Sequence, residues 1–160
     1  LATGTFHGKG VKVRDLATGE LAKEFPSPGS AGVAFSPNSR WVVTCNPDDH
    51  CVWEVGSWKL LHTFRRRSLG NWGSSAAFSP CSKYLAIDSS FSSLQILDPA
   101  TGHEYLTLDT SGYPANSVAK GLTANGDKFF GGVAWHLHGM WDIRGLRERL
   151  REWKLDWEDR

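Results

Sequence analysis

The residues best suited to chemistry stand in a few small groups. His136 and His138 lie two apart on an expected strand, hence on one face, and two imidazoles so placed could begin a metal site. Such a site needs a third ligand and an outer layer of hydrogen bonds to hold it. The sequence names neither, so both read as polar surface histidines. Cys45, His50 and Cys51 gather around one loop, but the gap between the cysteines matches no zinc spacing. Gly8-Lys9 sits where a phosphate loop would need glycine at position 3 and Ser or Thr at position 10; Thr3 and Gly10 break the pattern twice. No G-x-S-x-G, H-E-x-x-H or C-x-x-C occurs. No catalytic residue, metal or cofactor is expected, and the chain is expected not to be an enzyme.

Arg65-Arg66-Arg67, followed by Ser68 and Trp72, is the sharpest charged feature. It mixes basic and aromatic groups as nucleic-acid surfaces do. Three charges and a net charge of +1 over 160 residues are too little for strong phosphate binding, so no specific nucleic acid is expected. A solvated loop or a site for an acidic protein patch are the remaining readings. The chain is 40% hydrophobic and 22% charged, ordinary for a folded domain with a real core. Cys45, Cys51 and Cys81 make no disulfide framework; their odd, low count suits a reducing compartment, with one Cys45–Cys51 bridge left open. No apolar run approaches the ~20 residues that span a bilayer, and no signal peptide opens the chain. A cytoplasmic protein is expected. Because Leu1 is not Met, the sequence is expected to start partway through a longer product.

The elements that must position these residues follow a repeat. Residues 32–64 read as a strand ending in Phe35-Ser36-Pro37, a polar turn, a strand Trp41 to Cys45, a loop, a strand closing on Val52-Trp53-Glu54, a Gly56-Ser57 turn and a strand Lys59 to Phe64. Residues 75–108 repeat that plan and residues 117–144 repeat it more loosely. Pro37 to Pro80 is 43 residues and Pro80 to Ala124 is 44; Trp53, Leu97 and Trp141 recur at 44 and 44. Each of these three is followed by an acid: Glu54, Asp98 and Asp142. An earlier copy, Val11 to Asp15, stands 39 residues before Glu54. A period of about 40–45 residues with four strands per unit is how propeller blades read in sequence.

These residues resemble the WD40 family. Phe-Ser-Pro in two repeats, Trp-Asp or its variants closing a strand, and the Ala-Thr-Gly turns at 17–19 and 100–102 carry the resemblance, which covers the chain to about Ile143. It implies an all-β fold, a WD40-like β-propeller fragment of about three and a half four-stranded blades, with a short C-terminal amphipathic helix. The units are a half blade at 1–16, blades at 17–56, 57–99 and 100–144, and a helix and tail at 145–160. The family's Gly-His pair and its turn Asp, which form a buried network, are missing from the expected places. This degenerate, bacterial-type member should therefore be held more by apolar packing. The 54–58 copy of the acid-x-x-Thr-Gly turn has Glu54 for Asp and Trp58 for Gly, so its shape should differ.

The tail places Leu146, Leu150, Trp153 and Trp157 at helical spacing, with Arg144 and Glu148 at i,i+4. A helix packing this Leu/Trp stripe on the last blade is expected. Docking to a partner or lying on a membrane surface are the functional alternatives. The tail also resembles the C-terminus of large bacterial WD40 proteins, some of which carry a Ser/Thr kinase domain upstream; no kinase motif stands in these residues.

In an up-and-down sheet, connections alternate between two ends. One end should carry the loops 26–30, 46–50, 65–72, 89–93 and 110–115, and there Arg65, Arg66, Arg67, Trp72, Phe91 and Tyr113 are the expected protein-binding residues, since exposed aromatics and Arg serve interface centres. The innermost strands should offer Leu21, Lys23, Leu61, Thr63, Tyr105 and Thr107, a poor catalytic set. The expected function is a non-enzymatic protein–protein interaction scaffold, or else the regulatory or docking C-terminal region of a multidomain Ser/Thr protein kinase. A protein or peptide partner is expected, and the remaining blades would come from the parent chain or a second copy.

Overall fold

In the computed structural model of the chain, the described residues are 1–5, 8–27, 29–67, 74–109, 118–123, 127–134 and 137–156. They form an all-β arrangement of four antiparallel sheets followed by one helix. Sheet 1 holds β1 (Ala2–Thr3), β2 (Val11–Arg14) and β3 (Leu21–Phe25). Sheet 2 holds β4 (Gly32–Phe35), β5 (Trp41–Cys45), β6 (Asp49–Glu54) and β7 (Leu60–Arg65). Sheet 3 holds β8 (Ala76–Phe78), β9 (Leu85–Ser90), β10 (Ser93–Leu97) and β11 (Glu104–Asp109). Sheet 4 holds β12 (Val118–Leu122), β13 (Lys128–Ala134) and β14 (Leu137–Asp142), and α1 (Ile143–Glu152) follows. The sheets run one strand out of phase with the units 17–56, 57–99 and 100–144, because the strand opening each unit pairs back onto the preceding sheet.

The sheets stack face to face in chain order, and strand alternation decides which residue meets which neighbour. In β5, Val42 packs with Val11, Val13 and Phe25 of sheet 1, whereas Trp41, Val43 and Cys45 pack with Leu85, Ile87 and Leu97 of sheet 3. Both faces of β5 are covered, which is why all five of its residues are buried. In β9 and β10, Ala86, Leu94 and Ile96 turn the other way, toward Phe129 of sheet 4 and Ile143. Each fully buried Val, Leu, Ile or Phe contributes about 1.5–3 kcal/mol of transfer free energy, so these three interfaces are the main source of stability. The strands of successive sheets that approach each other are the first ones: β1 lies by β4, β4 by β8, and β8 by β12. The residues expected on innermost strands belong instead to β3, β7 and β11, which stand at the opposite edge of each sheet.

The Phe-Ser-Pro turns owe their shape to the serine. Ser36 donates its N–H to Trp41 O at 2.9 Å, and its Oγ accepts from Trp41 N–H at 2.9 Å. Ser79 does the same with Tyr84, at 2.8 and 2.9 Å, and Thr123 the same with Lys128, at 2.9 and 3.0 Å. Ser36 and Ser79 are buried, so these hydroxyls satisfy amides that water cannot reach. The third unit keeps the device with threonine, which explains how it dispenses with the Phe-Ser-Pro letters.

The acid turns behave partly as expected. Asp15 Oδ1 accepts from Ala17 and Thr18 N–H, Asp98 Oδ1 accepts from Ala100 N–H, and Gly19 and Gly102 both take φ +74°. The 54–58 turn keeps the closing bond, Trp58 N–H to Glu54 O at 2.9 Å, and Trp58 itself takes φ 56°. The expected change of shape is therefore confined to its interior, where Gly56 takes φ +95°. Packing holds the strained tryptophan: its ring meets Phe25 edge-on with centroids 6.0 Å apart.

The tail is helical from Ile143, two residues before the expected start, because Asp142 caps it by accepting from Gly145 N–H at 2.9 Å. Arg144 and Glu148 pair at 3.0 Å. The expected Leu/Trp stripe does not seat as a whole. Ile143 enters the core, Leu146 and Leu150 are half-buried, and Trp153 is 70% exposed; Trp157 lies outside the described residues. Lys154 takes φ 58° and turns the chain back, so that the buried Asp156 carboxylate accepts from Arg147 at 3.0 and 3.1 Å and pairs with Arg151 at 2.9 Å.

Candidate functional site

A buried polar cluster joins sheet 2 to sheet 3. His50 sits at the start of β6 and pairs across the ladder with Cys45, so both side chains face sheet 3. His50 Nε2 donates to Asp88 O at 2.7 Å and lies 3.5 Å from Asp88 Oδ1. Arg66, just after β7, donates to Asp88 Oδ2 at 2.5 Å and to Pro47 O at 2.8 Å. Ser75 N–H donates to Asp88 Oδ1 at 2.7 Å. The Arg66–Asp88 pair thus ties together the 46–48 loop, the segment after β7, the segment before β8 and strand β9.

Cysteine, histidine and aspartate in one cluster suggest nucleophilic chemistry, and the surroundings argue otherwise. Burial pushes the Cys45 thiol far up, away from the reactive thiolate. Burial pushes His50 down to about 4, although its bond to Asp88 O opposes this, so the ring is neutral at pH 7. Burial also raises Asp88, to about 6, with the Arg66 guanidinium and the Ser75 N–H offsetting part of the effect. His50 is fully buried and Asp88 2% exposed, so no substrate reaches the cluster. Its chemistry is that of a fastening. His50 Nδ1, Arg66 Nε and the Ser74 and Ser75 hydroxyls are buried with no hydrogen-bond partner among the described residues.

The fastening orients its surroundings. Arg66 is the middle of the arginine run and its side chain is 3% exposed, so it does not offer a free cation to a partner as expected. The reason is strand alternation: Arg66 continues the series His62, Phe64 at period two, and the half-buried face of β7 carries it inward. Arg65 and Arg67 consequently point out, and both are exposed. Arg67 N–H donates to Ser89 O at 2.8 Å, which sets this corner against the end of β9, two residues from the half-buried Phe91. An open groove of about 440 Å³ runs beside it, lined by Phe64, Arg65, Arg67, Ser93, Gln95 and Thr107 among others. Glu104 at its far side is occupied by Gln95 Nε2 at 2.8 Å and Thr107 Oγ1 at 2.5 Å. Of the six expected binding residues, then, Arg65, Arg67 and Phe91 share one end, Arg66 is a core residue, and Trp72 and Tyr113 lie outside the described residues.

The metal readings find no support. His136 lies outside the described residues and His138 is exposed. Among the described residues no three His, Cys, Asp or Glu side chains converge on a common point. The Cys45–Cys51 bridge is ruled out by geometry: Cys45 pairs with His50 and Cys51 with Thr44, so the two thiols lie on opposite faces of sheet 2. No helix among the described residues is long and apolar enough to cross a membrane.

Sequence reasoning missed the cluster because its members are 38 and 22 residues apart on different sheets. A side-chain bond between neighbouring strands also escaped it: Trp53 Nε1 donates to Thr44 Oγ1 at 2.9 Å. No family model matches the chain, and no curated protein matches it.

Proposed function

We propose that this chain is an arc of a degenerate WD40-like β-propeller and acts as a non-enzymatic scaffold for a protein or peptide partner. The face-to-face stacking of sheets, with their first strands drawn together, supports the propeller reading. The observation that carries the binding reading is the way the Arg66 fastening turns Arg65 and Arg67 outward over the open groove. Among the described residues neither of these two forms an ion pair, and the apolar Phe64 lines the same groove. Two adjacent guanidiniums beside an aromatic suit a segment that carries carboxylates and one apolar anchor. The partner is an acidic peptide segment.

The reading is tested by titrating a fluorescently labelled Glu/Asp-rich peptide with the chain and following anisotropy. Affinity should fall at least tenfold in Arg65→Glu with Arg67→Glu, and fall with salt. Equal affinity in wild type and the double variant would remove the reading.

A further inference from the structure

The groove beside Arg65 and Arg67 also carries a carboxylate, and strand pairing fixes where it stands. Arg67 N–H donates to Ser89 O at 2.8 Å, and Ser89 Oγ meets Ser93 Oγ at 2.7 Å, so Arg67 is level with Ser93 at the start of β10. Gln95 lies two residues further along β10, on the same face as Ser93, and pairs across the ladder with Thr107 of β11. Glu104 reaches from the start of β11 to this second level. Gln95 Nε2 donates to one of its carboxylate oxygens at 2.8 Å and Thr107 Oγ1 to the other at 2.5 Å. All of these side chains line the groove. Two residues of strand span about 7 Å, so the Glu104 carboxylate sits about that far along the groove from the level of Arg67.

These charges do not answer one another. Both donors to Glu104 are neutral, and among the described residues Glu104, Arg65 and Arg67 form no ion pair. Asp49 stands opposite Arg65 on β6, which leaves Arg67 the cation better placed for a ligand. Asp109, the ladder partner of Ser93, does not line the groove. Gln95 and Thr107 hold the Glu104 carboxylate in place, so a ligand meets it with little side-chain entropy left to lose. An extended peptide repeats side chains on one face every two residues, again about 7 Å. Its positions i and i+2 match the two levels.

We propose that the acidic segment bound in this groove carries a Lys or Arg two residues from one of its carboxylates, the carboxylate meeting Arg67 and the cation meeting Glu104. The inference rests on the acidic-peptide reading and adds a charge pattern to it. A run of acids alone sets a like charge against Glu104, whereas acid-x-base satisfies both levels, and Glu104 becomes the residue that selects between them.

Three fluorescent Glu/Asp-rich peptides test this by anisotropy, identical except at one central position holding Lys, Ala or Glu, with an acid two residues to either side. Wild type should bind the Lys peptide about threefold or more tighter than the Glu peptide, although it carries less negative charge. Glu104→Gln should lose the preference and Glu104→Lys should reverse it, with circular dichroism confirming that each variant keeps the β fold. A Lys peptide bound no better than the Glu peptide, or a Lys preference that survives Glu104→Lys, would overturn the proposal. If binding still falls in Arg65→Glu with Arg67→Glu, the acidic-peptide reading stands without it; if no peptide binds, or the double variant binds them all as well as wild type, both are removed.

Discussion

Replacing Arg66 by methionine removes the cation from the buried fastening while keeping most of the apolar stem. Both side chains of the pair are 3% exposed, and Arg66 holds Asp88 Oδ2 at 2.5 Å and Pro47 O at 2.8 Å. After the exchange the carboxylate keeps the Ser75 N–H and the nearby His50. Removing one partner of a buried pair costs about 3–5 kcal/mol, whereas an exposed pair is worth about 0–1 kcal/mol. The geometry belongs to the first class, so a loss of about 3 kcal/mol is expected at pH 8, read as a lower urea midpoint at unchanged slope. The pH dependence carries a definite sign. Burial holds Asp88 up near 6 even with Arg66 present. An acid raised on folding destabilises while ionised above its folded pKa, and this cost disappears as pH falls toward its ordinary value. Loss of Arg66 moves that pKa higher still, so the variant's deficit should shrink between pH 8 and pH 5. The His50 contribution runs the other way, its stability being lost as pH falls from its ordinary range toward 4; removing the Arg66 cation relieves part of the downward push on His50, so the variant loses less of it and the deficit narrows further toward pH 5. A deficit under about 1 kcal/mol that stays flat with pH would place Arg66 in solvent and refute the reasoning.

Three further outcomes follow from the same geometry. Ser79→Ala strands the buried Tyr84 N–H and should cost about 1–3 kcal/mol in urea unfolding; a loss under about 0.5 would show that water reaches that amide. Gly19→Ala and Gly102→Ala both force φ +74° on alanine, but only at 102 would the new Cβ meet a ring, His62 Nδ1 at 2.8 Å; Gly102→Ala should therefore be the worse by about 1 kcal/mol or more, and equal losses would mean that the ring moves aside freely. The His50 ring resonances should stay constant from pH 8 down to pH 5, since burial holds the neutral form to about 4; a midpoint near 6.5 would show that water reaches the cluster.

The fold was legible wherever it is written in local alternation and turn chemistry. The strand Trp41–Cys45 was placed to the residue, and the recurrence of Phe-Ser-Pro located turns whose hydroxyls proved to be the working part. What a single strand cannot express is which sheet lies opposite. Asp88 reads as one polar residue among β-formers, and only the stacking of sheet 3 on sheet 2 brings it to His50 and Arg66. The inward turn of Arg66 was available from its period-two relation to Phe64, but a run of three like charges hid it. Trp58 shows the converse. Its backbone preference spoke against the turn, and the packing of its ring on Phe25 overrode that preference. The same competition ended the helical stripe at Glu152, where the Asp156 ion pairs draw the tail back before Trp153 can be covered.

The measurement that bears most directly on the scaffold reading is a residue-by-residue amide NMR titration of the chain with an acidic peptide. The account predicts saturable shifts confined to Arg65–Arg67, Ser89–Ser93 and Glu104–Thr107, the residues around the groove. Shifts scattered over the charged surface, or gathered on another face, would contradict it.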